Sequence, residues 1–347
     1  MNGTRKLISI VTPAYNEEAN IRELCRQVKE VLESLPQYDY EHIIIDNASK
    51  DGTASILREL AEEDKRIKVI LNARNFGHIR SPFHALLQSS GDAAILVVAD
   101  LQDPPALIRD FVKKWEEGFK VVLAVKDKAE ESPAMFFVRK SFYRFINRVS
   151  EIVLTENNTG FGLYDRRVVD ILREIDDPYP YFRGLVAEIG FEPAKIYYTQ
   201  PTRKRGITSN NFYALYDIAM LGITNHSKVP LRMATMLGFA MSLLSFLIAL
   251  AYLLAKLIFW DQFALGTAPI LIGLFLFSSV QLFFTGLIGE YIGSIHTQVL
   301  KRPRVIEKER INFQPRQADA VPATEPVGEP IPRETFDSAP HWSQSSP

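Results

Sequence analysis

The run Val97-Val98-Ala99-Asp100-Leu101-Gln102-Asp103-Pro104-Pro105 sets a carboxylate at the end of an apolar stretch. Asp100 and Gln102 offer oxygen ligands two positions apart, which suits a hard divalent cation that also binds phosphate oxygens. Pro104 and Pro105 then open a helix, because proline is favourable in a first turn. Upstream, Asp46-Asn47-Ala48-Ser49-Lys50-Asp51-Gly52-Thr53 is a polar turn running into a helix. Asp46 sits where a carboxylate can accept a hydrogen bond from a nucleotide base, while Ser49 or Asp51 caps the helix. Capping alone also accounts for this run. Earlier still, Thr12-Pro13-Ala14-Tyr15-Asn16-Glu17-Glu18 combines a rigid turn, an aromatic ring and carboxylates, a composition able to hold a base and ribose.

Such groups need a frame. The first two-thirds of the chain alternate short β-branched runs with helical patterns, which predicts an α/β fold, a Rossmann-like mostly parallel sheet with flanking helices. Strands are expected at Leu7–Thr12, His42–Asp46, Lys68–Leu71, Ala94–Ala99 and Lys120–Val125. Helices are expected over Glu17–Leu35, with Ile21, Leu24, Val28, Val31 and Leu32 at helical spacing, and over Ala54–Asp64. Each polar run then falls at the carboxyl end of a strand, the edge where open α/β sheets bind ligands.

Beyond about residue 230 the character changes. Ala234–Ala255 is 22 residues without a charge and Thr267–Gly289 is 23. Either is long enough for a transmembrane helix, which takes roughly 20 apolar residues. The intervening Asp261–Gly266 carries no Lys or Arg, whereas Lys228 and Arg232 flank one side and Lys301, Arg302 and Arg304 the other. The positive-inside rule puts both flanks in the cytoplasm. The N-terminus offers only Leu7–Val11 before Pro13, too short for a signal peptide. The expected organisation is a cytoplasmic catalytic domain at 1–230, a two-helix transmembrane region at 231–300, a juxtamembrane segment at 301–313 and a disordered tail at 314–347, rich in Pro, Glu, Gln and Ser. The formal net charge of −1 provides no basic field for nucleic acid. A single cysteine, Cys25, at an apolar helical position excludes an internal disulfide and reads as core.

In the order TPAYNEE, DNASKDGT and ADLQDPP, the three runs resemble the donor half of a GT-A, family 2 glycosyltransferase, in particular the polyprenyl-phosphate sugar transferases. Gly286-Leu287-Ile288-Gly289-Glu290-Tyr291-Ile292-Gly293 followed by Lys301-Arg302-Pro303 is similar to the end of the second membrane helix of the bactoprenol enzymes, and Val229-Pro230-Leu231-Arg232 to the entry of their first. The resemblance implies inverting transfer of a sugar from a nucleotide sugar to a polyisoprenyl (undecaprenyl or dolichyl) phosphate. The reaction would take place at the cytoplasmic face of a lipid bilayer, as expected of a multi-pass protein of a bacterial inner membrane. It implies that Pro13, Ala14, Tyr15 and Glu17 line the nucleotide and that Asp46 meets the base. It also implies that Asp100 and Gln102 hold Mg2+ or Mn2+, that Asp100 and Arg203 serve catalysis, and that Arg139, Arg203 and Arg205 meet the acceptor phosphate. Whether the chain forms a homo-oligomer is left open.

Four positions depart from the family pattern. Val98 replaces the first carboxylate of an Asp-x-Asp pair. Gly160 and Gly162 replace the Asp and Arg of Gly-Asp-Phe-Arg-Leu, and Ser209 stands where a lysine is expected. Lost carboxylates and lost cations balance, which points to a rebuilt sugar pocket with Arg205, His78 or His84 making polar contacts. Two alternatives stand beside the enzyme reading. One is a catalytically silent membrane binding protein of the same fold. The other is a polysaccharide synthase, which needs a Gln-x-x-Arg-Trp motif; no arginine precedes Trp115, Trp260 or Trp342. No donor residue lies beyond Arg232, so a chain cut there is expected to keep nucleotide binding.

Overall fold

A computed structural model describes residues 5–127, 155, 157–200, 229–258, 267–300 and 302–314. Arg139, Arg203, Arg205, Ser209 and all of the expected tail except Gln314 lie outside these residues. The strands are β1 (Lys6–Ala14), β2 (Tyr38–Asp46), β3 (Ile67–Asn72), β4 (Ala93–Leu96), β5 (Val121–Lys126), β6 (Asn158–Asp165), β7 (Ala194–Tyr198) and β8 (Glu307–Ile311). They form one sheet in the order β7-β5-β6-β4-β1-β2-β3-β8. Parallel pairing joins β4, β1, β2 and β3, and also β5 to β7. Strand β6 runs antiparallel between β4 and β5, and β8 runs antiparallel along β3.

Helices α1 (Ile21–Glu33), α2 (Thr53–Glu63), α3 (Gly77–Leu87), α4 (Ile108–Glu116), α5 (Arg166–Ile175) and α6 (Phe182–Ile189) link the strands. The apolar stripe of α1, with Leu24, Val28 and Leu32 buried, packs into a core that also holds Ile8, Ile10, Ile44, Phe111, Trp115 and Phe161. Cys25 belongs to that stripe, and burial pushes its thiol up to about 12, so it is core as expected. The helix begins at Ile21 rather than at Glu17, because Asn16 takes a left-handed φ of 56° and the Glu17 carbonyl closes a turn onto the Asn20 and Ile21 amides.

Three strands, β6, β7 and β8, lie outside the sequence expectation, and two of them have a clear physical reason. Strand β6 holds Gly160 and Gly162 where a strand pattern would show branched side chains. A Cβ at Gly162 would lie 2.3 Å from the Val122 carbonyl oxygen. The strand therefore approaches β5 more closely than any side chain there would allow. The second is β8, which lies within the expected juxtamembrane segment. It is tied to the sheet by Arg58–Glu309 at 2.7 Å, by His84–Glu307 at 2.6 Å, and by the Asn312 amide donating to the Ala61 and Ile67 carbonyls. The compact unit accordingly runs to Asn312. A chain cut at Arg232 would lack this edge strand.

Between β7 and β8 lie α7 (Val229–Ile258) and α8 (Thr267–Val299), of 30 and 33 residues. At 1.5 Å per residue they extend about 45 and 50 Å. Large apolar side chains such as Met236, Phe239, Leu257, Leu282 and Phe283 are exposed along them. Among the described residues no helix is long and apolar enough to cross a membrane. Several side chains within α7 and α8 fall outside that description, and the two crossings expected from the sequence are not shown by the fold.

Candidate active site

The carboxyl ends of β1, β2 and β4 meet at one edge of the sheet, and the loops leaving β1 and β2 are laced together. The Asn16 amide donates to Ser49 Oγ at 2.8 Å, and the Lys50 amide donates to Asn16 Oδ1 at 2.8 Å. The Glu17 amide donates to Thr53 Oγ1 at 2.9 Å, and the Gly52 amide to Glu18 Oε2 at 2.7 Å. Polar side chains here satisfy backbone groups that neither strand nor helix can pair. Pro13 and Ala14 end β1, and Tyr15 stands 41% exposed at the mouth of the edge. Glu17 takes a hydrogen bond from the Asn20 side chain at 2.7 Å, so its carboxylate helps to shape the turn.

Asp46, at the tip of β2, is buried, and it accepts from both the hydroxyl and the amide of Ser49. Burial pushes its carboxyl up, and the Ser49 bonds hold it back. Beside it, buried Asn47 is the hub of a network that the sequence did not single out. Its Oδ1 accepts from the Asn72 side chain at 3.0 Å and the Phe76 amide at 2.9 Å. Its Nδ2 donates to Asn75 Oδ1 at 2.8 Å, and its own amide donates to the Ala14 carbonyl at 2.9 Å. One residue, through its side chain and its backbone amide, thus joins the ends of β1, β2 and β3. The asparagines at 72 and 75 just before Gly77 are the signal that could have revealed it.

The β4 tip is built differently. The strand ends at Leu96, and Val97–Ala99 carry the chain out to Asp100. Asp100 Oδ1 accepts the Gln102 amide at 3.1 Å, which folds the turn back on itself around Leu101 at φ 59°. Asp100 and Gln102 are half-exposed. Asp103, next along, is 3% exposed and takes the Tyr198 hydroxyl at 2.7 Å. Burial, with the nearby Asp100 charge adding to it, raises the Asp103 carboxyl to about 6 despite that bond. Tyr198 ends β7, so Asp103 fastens the turn to a second strand while Asp100 and Gln102 stay half-exposed. The sequence placed Asp103 inside its most informative run but gave it no role.

The start of β6 lies beside this turn, because β6 is antiparallel to β4. Gly160 has φ 95°, a conformation that L side chains rarely adopt, and its amide donates to Asn158 Oδ1 at 2.8 Å. Arg183 Nη1 reaches the Asn158 carbonyl at 2.9 Å. A cavity of about 230 Å³ behind this point is walled by Leu123, Asn158 and Arg183, and its wall includes neither Asp100 nor Gln102. The strand-tip chemistry, not that cavity, defines the site. Of the side chains expected to rebuild the sugar pocket, His84 is committed to Glu307, and His78 is exposed close to Arg183.

The model of the family described as glycosyl transferase family 2 matches residues 9–172, the span that contains all three strand tips. The glycosyltransferase YkcC of Bacillus subtilis is 36% identical over 86% of this chain and 92% of its own length. The chain belongs to glycosyl transferase family 2. This transferase is also similar to the glycosyltransferase sll0501 of Synechocystis, 35% identical over 85% of this chain and 93% of that one. The SfII prophage-derived bactoprenol glucosyl transferase of Shigella flexneri is 33% identical over 87% and 97%. Among solved structures, glucosyl-3-phosphoglycerate synthase from Mycobacterium tuberculosis with Mn2+, UDP and glucosyl-3-phosphoglycerate is similar at 18% identity and a TM-score of 0.43. The match covers 63% of this chain and 78% of that one, a likeness too distant to carry any argument about this transferase. The observed sheet and flanking helices are consistent with the GT-A fold expected from the sequence.

Proposed function

We propose that this glycosyltransferase moves a sugar, with inversion, from a nucleotide sugar to a polyisoprenyl phosphate at the cytoplasmic face of a membrane. The observation that carries the reading is the half-exposed Asp100–Gln102 turn, set at the carboxyl edge beside the nucleotide-type loops of β1 and β2. The printed name of the Shigella relative, a bactoprenol glucosyl transferase, supports the acceptor class. The charge-free stretches Ala234–Ala255 and Thr267–Gly289 each fall wholly within one helix, α7 and α8, which supports two membrane crossings.

Among the described residues no group of three or more His, Cys, Asp or Glu side chains could hold a metal by itself. One carboxylate and one amide oxygen nevertheless fit Mg2+ or Mn2+, which take one or two protein oxygens and draw the rest from substrate phosphates and water. Asp100 and Gln102 would hold the ion, and its chemistry when bound is to neutralise charge on the departing nucleotide diphosphate. The acceptor is a phosphate monoester with a second pKa near 6, largely dianionic at neutral pH, so its oxygen attacks the anomeric carbon without needing a base. The bond from that carbon to the diphosphate breaks as the new one forms. The laced β1 and β2 loops hold the nucleotide, with Tyr15 exposed beside it, while Asp103 and Tyr198 keep the metal turn in register. Arg203, with Arg139 and Arg205, is proposed to align the two anions through charge-assisted hydrogen bonds.

The test is a panel of nucleotide sugars offered with undecaprenyl phosphate to the purified full chain, with and without a chelator. Metal-dependent formation of one polyprenyl-linked sugar is expected, and absence of turnover with every donor would favour the silent binding protein. A reporter fused after Phe313 is expected on the cytoplasmic side; an external signal would overturn the two crossings.

A further inference from the structure

The foot of α8 meets the catalytic unit at a cleft that the transfer reaction does not use. Arg304 and Gln298 form the anchored part of this contact. Arg304 donates to the Asp177 carbonyl at 2.8 Å and pairs with Asp176, and Gln298 donates to Asp177 Oδ1 at 2.9 Å. These bonds hold the end of α8 against the loop that follows α5. Next to them lies a cleft of about 250 Å³ lined by Arg80, Pro178, Tyr179, Thr297, Leu300 and Arg302.

The two arginines of this cleft differ from Arg304. Among the described residues neither Arg80 nor Arg302 has a carboxylate within ion-pair distance, although Arg22, Arg26, Arg58, Arg66, Arg166, Arg173, Arg304 and Arg310 all do. Among the described residues Arg80 donates to the Phe76 carbonyl, at 3.3 Å, and lies over the Phe76 and Tyr179 rings at 5.6 and 5.8 Å. Stacking of that kind fixes a guanidinium plane and leaves its edge donors for an anion. Thr297 also lines the wall, its hydroxyl donating to the Gly293 carbonyl at 3.0 Å, and Leu300 adds an apolar side. The cleft therefore combines positive charge, hydrogen-bond donors and one greasy wall at the end of the second long apolar helix.

We propose that this cleft binds the phosphate headgroup of an anionic bilayer lipid, separate from the acceptor in the active site. The inference rests on the membrane reading above, since a lipid reaches the foot of α8 only if α8 enters the bilayer. Arg80 and Arg302 grip the phosphate, and Leu300 lies along the first carbons of the acyl chains. The headgroup then sits between α3, which follows the Asn47 network, and the membrane helix, and it sets the height of the sheet edge above the surface.

The test uses the full chain in mixed micelles holding equal amounts of phosphatidylglycerol and phosphatidylcholine, with bound lipid counted by native mass spectrometry. The wild type is expected to retain phosphatidylglycerol preferentially. Arg80→Gln and Arg302→Gln are each expected to cut that preference about tenfold, the equivalent of one lost charge-assisted bond. Arg80→Lys and Arg302→Lys, which keep the charge, should retain most of it, and UDP binding should be unchanged in all four, showing that the fold persists. Equal retention by wild type and the glutamine variants would overturn the proposal. So would displacement of the lipid by low millimolar inorganic phosphate, which would make the cleft a site for free anions. Fractionation of the same cells separates this failure from that of the underlying reading: a wild-type chain released from membranes without detergent refutes the crossings themselves.

Discussion

Asp46 and Asp100 are both carboxylates at the tips of parallel strands, two places apart in the sheet, yet their surroundings are opposite. Asp46 is buried and engaged by Ser49, and its neighbour Asn47 fastens three strand ends. Asp100 is half-exposed, and its turn is secured indirectly, through the next carboxylate, Asp103, on Tyr198. Acidic type and strand-end position are shared, so neither can separate structure from chemistry. What separates them is exposure, since Asp46 is buried and Asp100 half-exposed. The β2 tip is internally bonded, and the β4 tip is the one proposed to meet charge from outside.

That contrast fails if the two tips respond alike to substitution. The largest effect is expected for Asp100→Asn, with turnover falling about 100- to 1,000-fold, the scale of losing one well-placed electrostatic group. Its denaturant midpoint should stay at the wild-type value. Near wild-type turnover at limiting Mg2+ or Mn2+ would reject the assignment. Asn47→Ala should behave conversely. It strands the Asn72 side chain and the Phe76 amide at the end of β3 while the Asn47 backbone bond to β1 persists, and a stability loss of about 2–3 kcal/mol is expected in urea unfolding. Surviving folded protein should keep most of its turnover.

A third experiment uses acid. His42, within β2, is buried, with its Nε2 2.9 Å from Thr12 Oγ1, and burial lowers its imidazole from 6.5 to about 3. Between those values the unfolded chain binds the proton and the folded chain does not. Stability is therefore fully present above about pH 6.5 and is lost as pH falls toward 3, by up to about 1.4 kcal/mol per pH unit from this group. The difference in unfolding free energy between wild type and His42→Gln, followed from pH 7 to 4, isolates the slope; a flat difference would mean that the imidazole charges in the fold. The smallest effect belongs to Ser49→Ala, about 1 kcal/mol, because Asp46 keeps the Ser49 backbone amide as a donor.

Most of the parallel half of the sheet was legible because its strands are buried on both faces and read as continuous apolar runs. Ile43, Ile44 and Ile45 in β2 show this plainly. Strand β6 was not legible, since its close approach to β5 requires glycine where strand propensity looks for branched residues. Strand β8 is Glu-Lys-Glu-Arg-Ile, four charged residues in five, a composition that suggests a solvated linker. Edge strands tolerate such charge, and it discourages pairing with other chains. Its ion pair Arg58–Glu309 is about 40% exposed on both sides and contributes at most about 1 kcal/mol; backbone pairing along β3 holds the strand. At the site, residue types pointed to the Asp100–Gln102 turn, which is proposed to meet a cation. The Asn47 hub and the Asp103–Tyr198 bond escaped notice because they join segments far apart in the chain.

The position of β8 has a consequence for the order of assembly. The two long helices are not a tail appended to a finished enzyme; they are an excursion between two pieces of one sheet. During synthesis the outer edge of β3 stays bare until both helices have been made and Glu307–Ile311 emerges. If α7 and α8 cross a bilayer, β8 can reach β3 only after an even number of crossings. A chain in which one helix failed to insert would deliver its last strand to the wrong compartment. Sheet closure then acts as a parity check on membrane insertion, and the exposed β3 edge marks every chain that fails it.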